Sequence, residues 1–430
     1  MIHSFTQSHL NSLPGPDDIH RFELSNGIIL LTRPNFNSQS VVISGYIQCG
    51  SMFDPQGKLG LARFTSLALM RGSVNRDFQQ IYDALESVGA SLGFNSSVHH
   101  TSFGGRCLSE DLSLLLMLLS DSLRHPTFPE DQVERLRTQL MTGLAIRAQD
   151  TEEMASLTFD EMLFANHPYG LPEDGFVETI SQISIEDIRQ FQKKSYHPHG
   201  MVIVVVGAIE PQACFDLICQ IFGNWKAENT LPLRKFPMVN PLREKIRKHI
   251  SIPGKSQTDV IIGTVGPKRR VPEYMAASLG NSILGQFGMM GRIGDIVREK
   301  SGLAYHASAS LNSWIEAGSW EISAGVNPAN LSRTIDLVIR ELERFTSELV
   351  TIDELADSKA NFTGRLPLSM ESNSGVAGAL LNIERFQLGL DYYWRYADLV
   401  NSVTPEMILE TAQTYIHPET MAVVSAGPEI

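Results

Sequence analysis

Two stretches of this chain, residues 180–207 and 400–427, align without a gap at a spacing of 220 residues. Identical pairs include Glu186/Glu406, Ile188/Ile408, His197/His417, Pro198/Pro418, Met201/Met421, Val204/Val424 and Gly207/Gly427. Apolar character is kept at Ile183/Val403 and Ile203/Val423. In both copies a hydroxyl residue, Ser184 or Thr404, stands where a side-chain oxygen can cap a helix. A His-Pro turn ends that helix, and a β-branched run to glycine reads as a strand. One match could be chance, but the set implies two domains of like fold. A chain of 430 residues is long enough to give each its own core. The charges and prolines between Lys226 and Pro241 have linker composition. The expected division is 1–228, a linker at 229–245, and 246–430.

Within each half, strands come in groups and helices follow in groups. Asn26-Gly27, inside the apolar run Phe22 to Thr32, is a strong hairpin turn. Val41 to Gln48 alternates as a strand. Asp77 to Ser87 has helical periodicity and meets a stop at Gly89. Ser109 is placed to cap a helix running through Leu123. In the second half Asn327-Pro328 opens a helix, and Leu331, Ile335, Val338, Ile339 and Leu342 form its apolar stripe. The fold class is therefore α+β, each domain a largely antiparallel sheet with helices packed on one face.

Several function classes drop out. A net charge of -13 argues against a nucleic-acid binder, which would present a basic face. The cysteines Cys49, Cys107, Cys214 and Cys219 form no C-x-x-C pair and read as buried thiols. There is no Gly-x-Ser-x-Gly elbow. The longest strongly apolar run, Met201 to Val206, is too short to span a bilayer. The first eight residues do not read as a signal peptide. The expected location is cytoplasmic, or periplasmic if a leader has been removed.

Gly60 to Gly72 reads as a short apolar helix. On a helix, positions i, i+3 and i+4 share a face, so Arg63, Ser66 and Leu67 stand together. In its frame (Gly60, Ala62, Phe64, Met70, Gly72) the segment resembles the zinc helix of the insulinase/pitrilysin metallopeptidases. In that family the three positions carry an inverted His-x-x-Glu-His. Here Arg63 brings a fixed positive charge, Leu67 has no lone pair and Ser66 is a poor base. Catalytic zinc takes three protein ligands and a water. The family's third ligand is a glutamate further along; at the matching distance this chain has Gly143. The resemblance thus implies no metal in this chain.

A second segment carries the same resemblance. Glycines recur at 285, 288, 291 and 294, and Arg298-Glu299-Lys300-Ser301-Gly302-Leu303-Ala304-Tyr305 follows. The glycine run is a poor phosphate loop, since no Gly-Lys-Ser/Thr follows. Gly285, Gly288 and Gly291 could instead let a peptide backbone approach closely, or form a turn between two helices. Arg298 and Tyr305 match the arginine and tyrosine of the family's C-terminal domain, which reach the substrate's backbone carbonyl. Both are hydrogen-bond donors suited to that oxygen. Read without the resemblance, they are a solvated helix arginine and a strand tyrosine.

Other histidines fare worse. His99 and His100 are expected in a strand, pointing to opposite faces. His197-Pro198-His199 and His167-Pro168-Tyr169-Gly170 read as structural turns. The resemblance spans most of the chain and is similar to the two-domain subunits of mitochondrial processing peptidases. There, one subunit holds zinc while a sister lacks it and keeps the Arg/Tyr pair. The expected function is a non-catalytic subunit of a heterodimeric zinc metallopeptidase. Its partners would be a homologous subunit bearing His-x-x-Glu-His, with the zinc, and an extended peptide substrate. The alternative is a structural or peptide-binding core-type subunit with no peptidase role. Activity by this chain alone, through some other metal site, is the third reading.

Overall fold

The computed structural model describes residues 13–226, 236–285 and 291–429. The chain divides into two compact units. The first comprises Met1–Leu144, Pro172–Arg234 and Leu366–Trp394; the second, Ala145–Leu171, Lys235–Arg365 and Arg395–Ile430. The division therefore includes the step at 234/235 inside the expected linker. It also gives each unit one segment from the other half of the sequence.

The first unit is built on a six-stranded sheet: β1 (His20–Glu23), β2 (Ile29–Pro34), β3 (Ser40–Ile47), β4 (Ser91–Ser96), β5 (Thr101–Leu108) and β6 (Val202–Gly207). Their spatial order is β1-β2-β6-β3-β5-β4, and only β2 and β6 run parallel. Gly27, at φ 85°, turns β1 into β2 at the expected hairpin. The second unit has β7 (Ile246–Ser251), β8 (Thr258–Gly266), β9 (Ala304–Ser313), β10 (Gly318–Val326) and β11 (Ala422–Gly427). Their order is β7-β11-β8-β10-β9, with only β7 and β11 parallel.

The sequence repeat is a repeat of this topology. Helix Ile185–Ser195, capped by Ser184, leads to β6; helix Pro405–Tyr415, capped by Thr404, leads to β11. Each of these strands lies between a parallel neighbour and an antiparallel one. The fold is α+β with two mixed, mainly antiparallel sheets.

Side-chain alternation shows what covers each face. Val41, Ile43 and Ile47 of β3 and Ile203 and Val205 of β6 join a core with Leu61, Phe64, Leu115, Ile188 and Phe191. Val202, Val204 and Val206 are buried too, on the other face. Helix Asn373–Phe386 packs there on β3 and β6, with Asn373 Nδ2 donating to the Ser40 carbonyl at 3.1 Å. In the second unit Val260, Ile262, Ala307, Ile322 and Val423 face a core with Leu279, Ile335, Val338 and Leu342. Helix Thr151–Leu163 covers the opposite face, where Thr151 Oγ1 donates to Asp259 at 2.5 Å and Phe159 lies against Gly263. The helices expected on one face are joined on the other by these two exchanged ones.

Local expectations differ at one cap. Ser109 starts a 3-10 turn, Ser109–Asp111, and makes no capping bond; the helix proper is Leu112–Arg124. Asp77 caps Phe78–Glu86 with a reciprocal bond from Gln80, and Asn327 accepts from the Ala329 amide as expected.

Candidate functional site

Helix Leu61–Ala68 starts at Gly60, whose φ of 91° is left-handed. A side chain there would strike the Asp174 carbonyl at 2.7 Å. The carboxylate of Asp54 accepts from the Gly60 and Ala62 amides, both at 2.8 Å, satisfying donors that a helix start leaves open. Phe64 is fully buried, and Arg137 of helix Glu130–Arg147 lies 5.1 Å over its ring. That places the helix carrying Gly143 against this one.

The residues at the family's zinc positions do not fit a metal. Arg63 Nε pairs with Asp174 at 2.5 Å, and its Nη1 donates to Asn95 of β4 at 2.6 Å. A cation is thus fixed where the first imidazole would stand. Ser66 is buried and donates to the Arg63 carbonyl at 2.8 Å. Leu67 packs on the core. Gly143 is exposed, and a Cβ built there meets nothing within 4 Å, so the place has room for a ligand and no donor. Among the described residues, no group of three or more His, Cys, Asp or Glu could hold a metal. Beside Arg63, burial raises the Glu173 carboxyl above its ordinary range; its Oε1 accepts from the Val98 amide at 3.0 Å. Asp54, Asn95, Glu173 and Asp174, which hold this helix start and Arg63 or lie beside them, are residues that the sequence pattern does not single out. For Asp54, Glu173 and Asp174 only the turn sequences Asp54-Pro55-Gln56-Gly57 and Glu173-Asp174-Gly175 offer a signal; Asn95, within β4, has none.

The second set lies in the other unit. Arg298 sits on a π-turn, Asp295–Glu299. Its side chain is 21% exposed, and Nε and Nη2 both reach Glu299 at 2.7 Å. Gly302, at φ 61°, supplies the left-handed stop, its amide donating to the Arg298 carbonyl at 2.9 Å. Tyr305 follows on β9, an edge strand, and is 76% exposed. Gly325 pairs with His306 and Val326 with Ala304, so Tyr305 is the extra residue of a β-bulge. Bulges re-aim a side chain out of the regular ladder. The strand tyrosine is therefore a displayed phenol.

The glycines have a different environment. A Cβ at Gly285 would lie 2.1 Å from the Ala309 amide nitrogen on β9. Gly291, at φ 63°, approaches the Gly285 nitrogen and the Ile283 carbonyl, at 2.7 and 2.6 Å from where a Cβ would be. The backbone these two glycines admit is the chain's own. Gly288 lies outside the described residues.

Among the remaining candidates, His99 and His100 lie in the turn between β4 and β5, not in a strand. Their ring centroids are 5.7 Å apart, so the opposite-face expectation fails because turn geometry replaces alternation. His167 Nδ1 accepts from the Tyr169 amide, and burial lowers its pKa, in keeping with a structural turn. All four thiols are free, and burial raises each; Cys107 and Cys214 are pushed up to about 12. Such thiols are poor nucleophiles. No described helix is long and apolar enough to cross a membrane.

Residues 30–172 match the family described as insulinase (peptidase family M16), and residues 182–362 match the peptidase M16 inactive domain. The chain belongs to the peptidase M16, or insulinase, family. It is 24% identical over 421 residues to an uncharacterized zinc protease of Streptomyces coelicolor, covering 95% of this chain and 89% of that one. It is 24% identical to the mitochondrial-processing peptidase subunit beta of Saccharomyces cerevisiae, over 82% and 79% of the two chains. Its fold matches a peptidase M16 inactive domain from Pseudomonas fluorescens with a TM-score of 0.89 and 25% identity, covering 96% and 98%. A protease from Helicobacter pylori has the same fold, with a TM-score of 0.87, 20% identity, and coverage of 97% and 100%.

Proposed function

We propose that this chain is the non-catalytic subunit of a two-chain zinc metallopeptidase, whose metal and His-x-x-Glu-His belong to a homologous partner. One contrast carries the reading. At the zinc positions Arg63, Ser66, Leu67 and Gly143 offer no ligand, and Arg63 is locked into an ion pair. Yet Arg298 and Tyr305 are kept, and Tyr305 is displayed by a bulge on an open strand edge. Their task would be to donate hydrogen bonds to the scissile carbonyl of an extended peptide. Donors aimed at that oxygen favour the charge that builds there when water attacks. The edge of β9 could hold the same peptide by strand addition.

Peptide cleavage by this chain mixed with a paralogue bearing His-x-x-Glu-His tests the reading. Arg298→Ala and Tyr305→Phe should each lower kcat about 10²-fold or more, as loss of an oxyanion donor does. Unchanged cleavage by both variants would sink it. A second reading, a peptide-binding or structural subunit with no peptidase role, is favoured by the contact of Arg298 with Glu299. Peptide binding with no cleavage beside any such paralogue would establish that alternative.

A further inference from the structure

The unit built on β1–β6 also holds a half-buried cation with no described counter-ion. Arg385 lies on helix Asn373–Phe386, against the sheet face opposite the main core. Its guanidinium carbon stands 5.1 Å from the centroid of the Tyr46 ring. The ring of His100 meets Tyr46 edge-on, with centroids 4.5 Å apart. Tyr46 and His100 are only 4% and 7% exposed. Arg385 Nε is buried without a hydrogen-bond partner, and no described carboxylate pairs with this guanidinium. The adjacent carboxylate, Glu384, is engaged by Arg21 through two bonds of 2.9 and 3.0 Å. Buried donors left unmet are rare, and an ion or water usually explains them.

We propose that Arg385, Tyr46 and His100 form a binding site for a carboxylate monoanion. A guanidinium fork matches a planar carboxylate with two parallel bonds. The Tyr46 ring holds the guanidinium plane, and His100 adds one N–H donor at its edge. The charge count selects the ligand. Burial, with Arg385 and His99 nearby, holds His100 well below its ordinary pKa, so its ring is neutral near pH 7. Burial pushes the Tyr46 phenol up to about 12, so it stays protonated. One net positive charge suits a carboxylate and not a phosphate dianion. The carboxylate belongs either to a peptide's C-terminus or to a small free acid.

The test follows the His100 ring signals by NMR in the full chain, assigned with His100→Gln. The probes are sodium acetate, inorganic phosphate, and an N-acetylated dipeptide with a free or an amidated C-terminus. Saturable shifts with acetate and the free-acid dipeptide, and none with the amide, are expected. Arg385→Gln should abolish them, and Arg385→Lys, which keeps the charge but not the fork, should weaken them. Tighter binding of the dipeptide acid than of acetate identifies a chain terminus as ligand; equal binding identifies a small acid. No saturable shift in the parent chain, equal response to the amide, phosphate binding tighter than acetate, or unaltered binding in Arg385→Gln overturns the proposal. The parent titration decides even if a variant fails to fold.

Discussion

Arg63 stands at the first of three helix positions that would face a metal, and its guanidinium is held by Asp174 and Asn95. Both ion-pair partners are partly exposed, 29% and 40%, so the pair itself is worth no more than about 1 kcal/mol. Its consequence is chemical: a fixed positive charge excludes a cation from that spot. The neighbouring Glu173 carries the pH dependence. Burial raises its folded-state pKa, so the folded chain takes up this proton more readily than the unfolded chain does. The stability this contributes is complete below the ordinary glutamate value of about 4.3 and is lost as pH rises through the raised value. Glu173→Gln keeps an oxygen acceptor for the Val98 amide and removes the charge. Its urea midpoint should therefore exceed the parent's at pH 7, and the gap should close as pH falls toward about 4.3. A gap that stays constant over that range would show the carboxyl is not the cause.

At the scale of elements, features set by neighbouring residues were legible and those set by distant strands were not. Ser184 and Thr404 cap helices where the repeat places them, because a cap needs only its own three following residues. The loss of zinc ligands was readable because spacing on one helix fixes a face. The bulge at Tyr305 was not, since it depends on which residue of β10 stands opposite. Nor was the role of Gly285 as a contact between helix Tyr274–Gly285 and β9. That contact yields a prediction separating packing from peptide binding. A methyl at Gly285 meets the Ala309 backbone, which cannot swing aside as a flexible side-chain tip could. Gly285→Ala should cost about 1–3 kcal/mol, as overpacking does, measured by chemical denaturation of the chain alone. A glycine that serves only bound peptide would leave that stability unchanged.

At the scale of the whole molecule, the repeat foretold two like sheets but not the exchange of helical segments between halves of the sequence. Which sheet a helix covers is settled by long-range burial, and no periodicity records it. Residues 145–171 complete the unit whose strands all come from the second half, and residues 366–394 complete the other. The energetic weight of the exchange is large. Phe159, fully buried and lying against Gly263, contributes about 1.5–3 kcal/mol by burial alone. Ala155 and Leu163 are buried on the same helix. Against a net stability of about 5–15 kcal/mol for a folded domain, losing this helix is decisive. A fragment of residues 246–365 linked to 395–429, omitting the segment that belongs to the other unit, should therefore melt without a cooperative transition and bind a dye that reports exposed apolar surface. Joining residues 145–171 to it through a flexible Gly/Ser linker should restore cooperative melting and release the dye. Substituting Phe159→Ala in the added segment should undo part of that rescue, by about 3–5 kcal/mol. Cooperative melting of the bare fragment at the full chain's temperature would mean that the second unit does not depend on its borrowed helix.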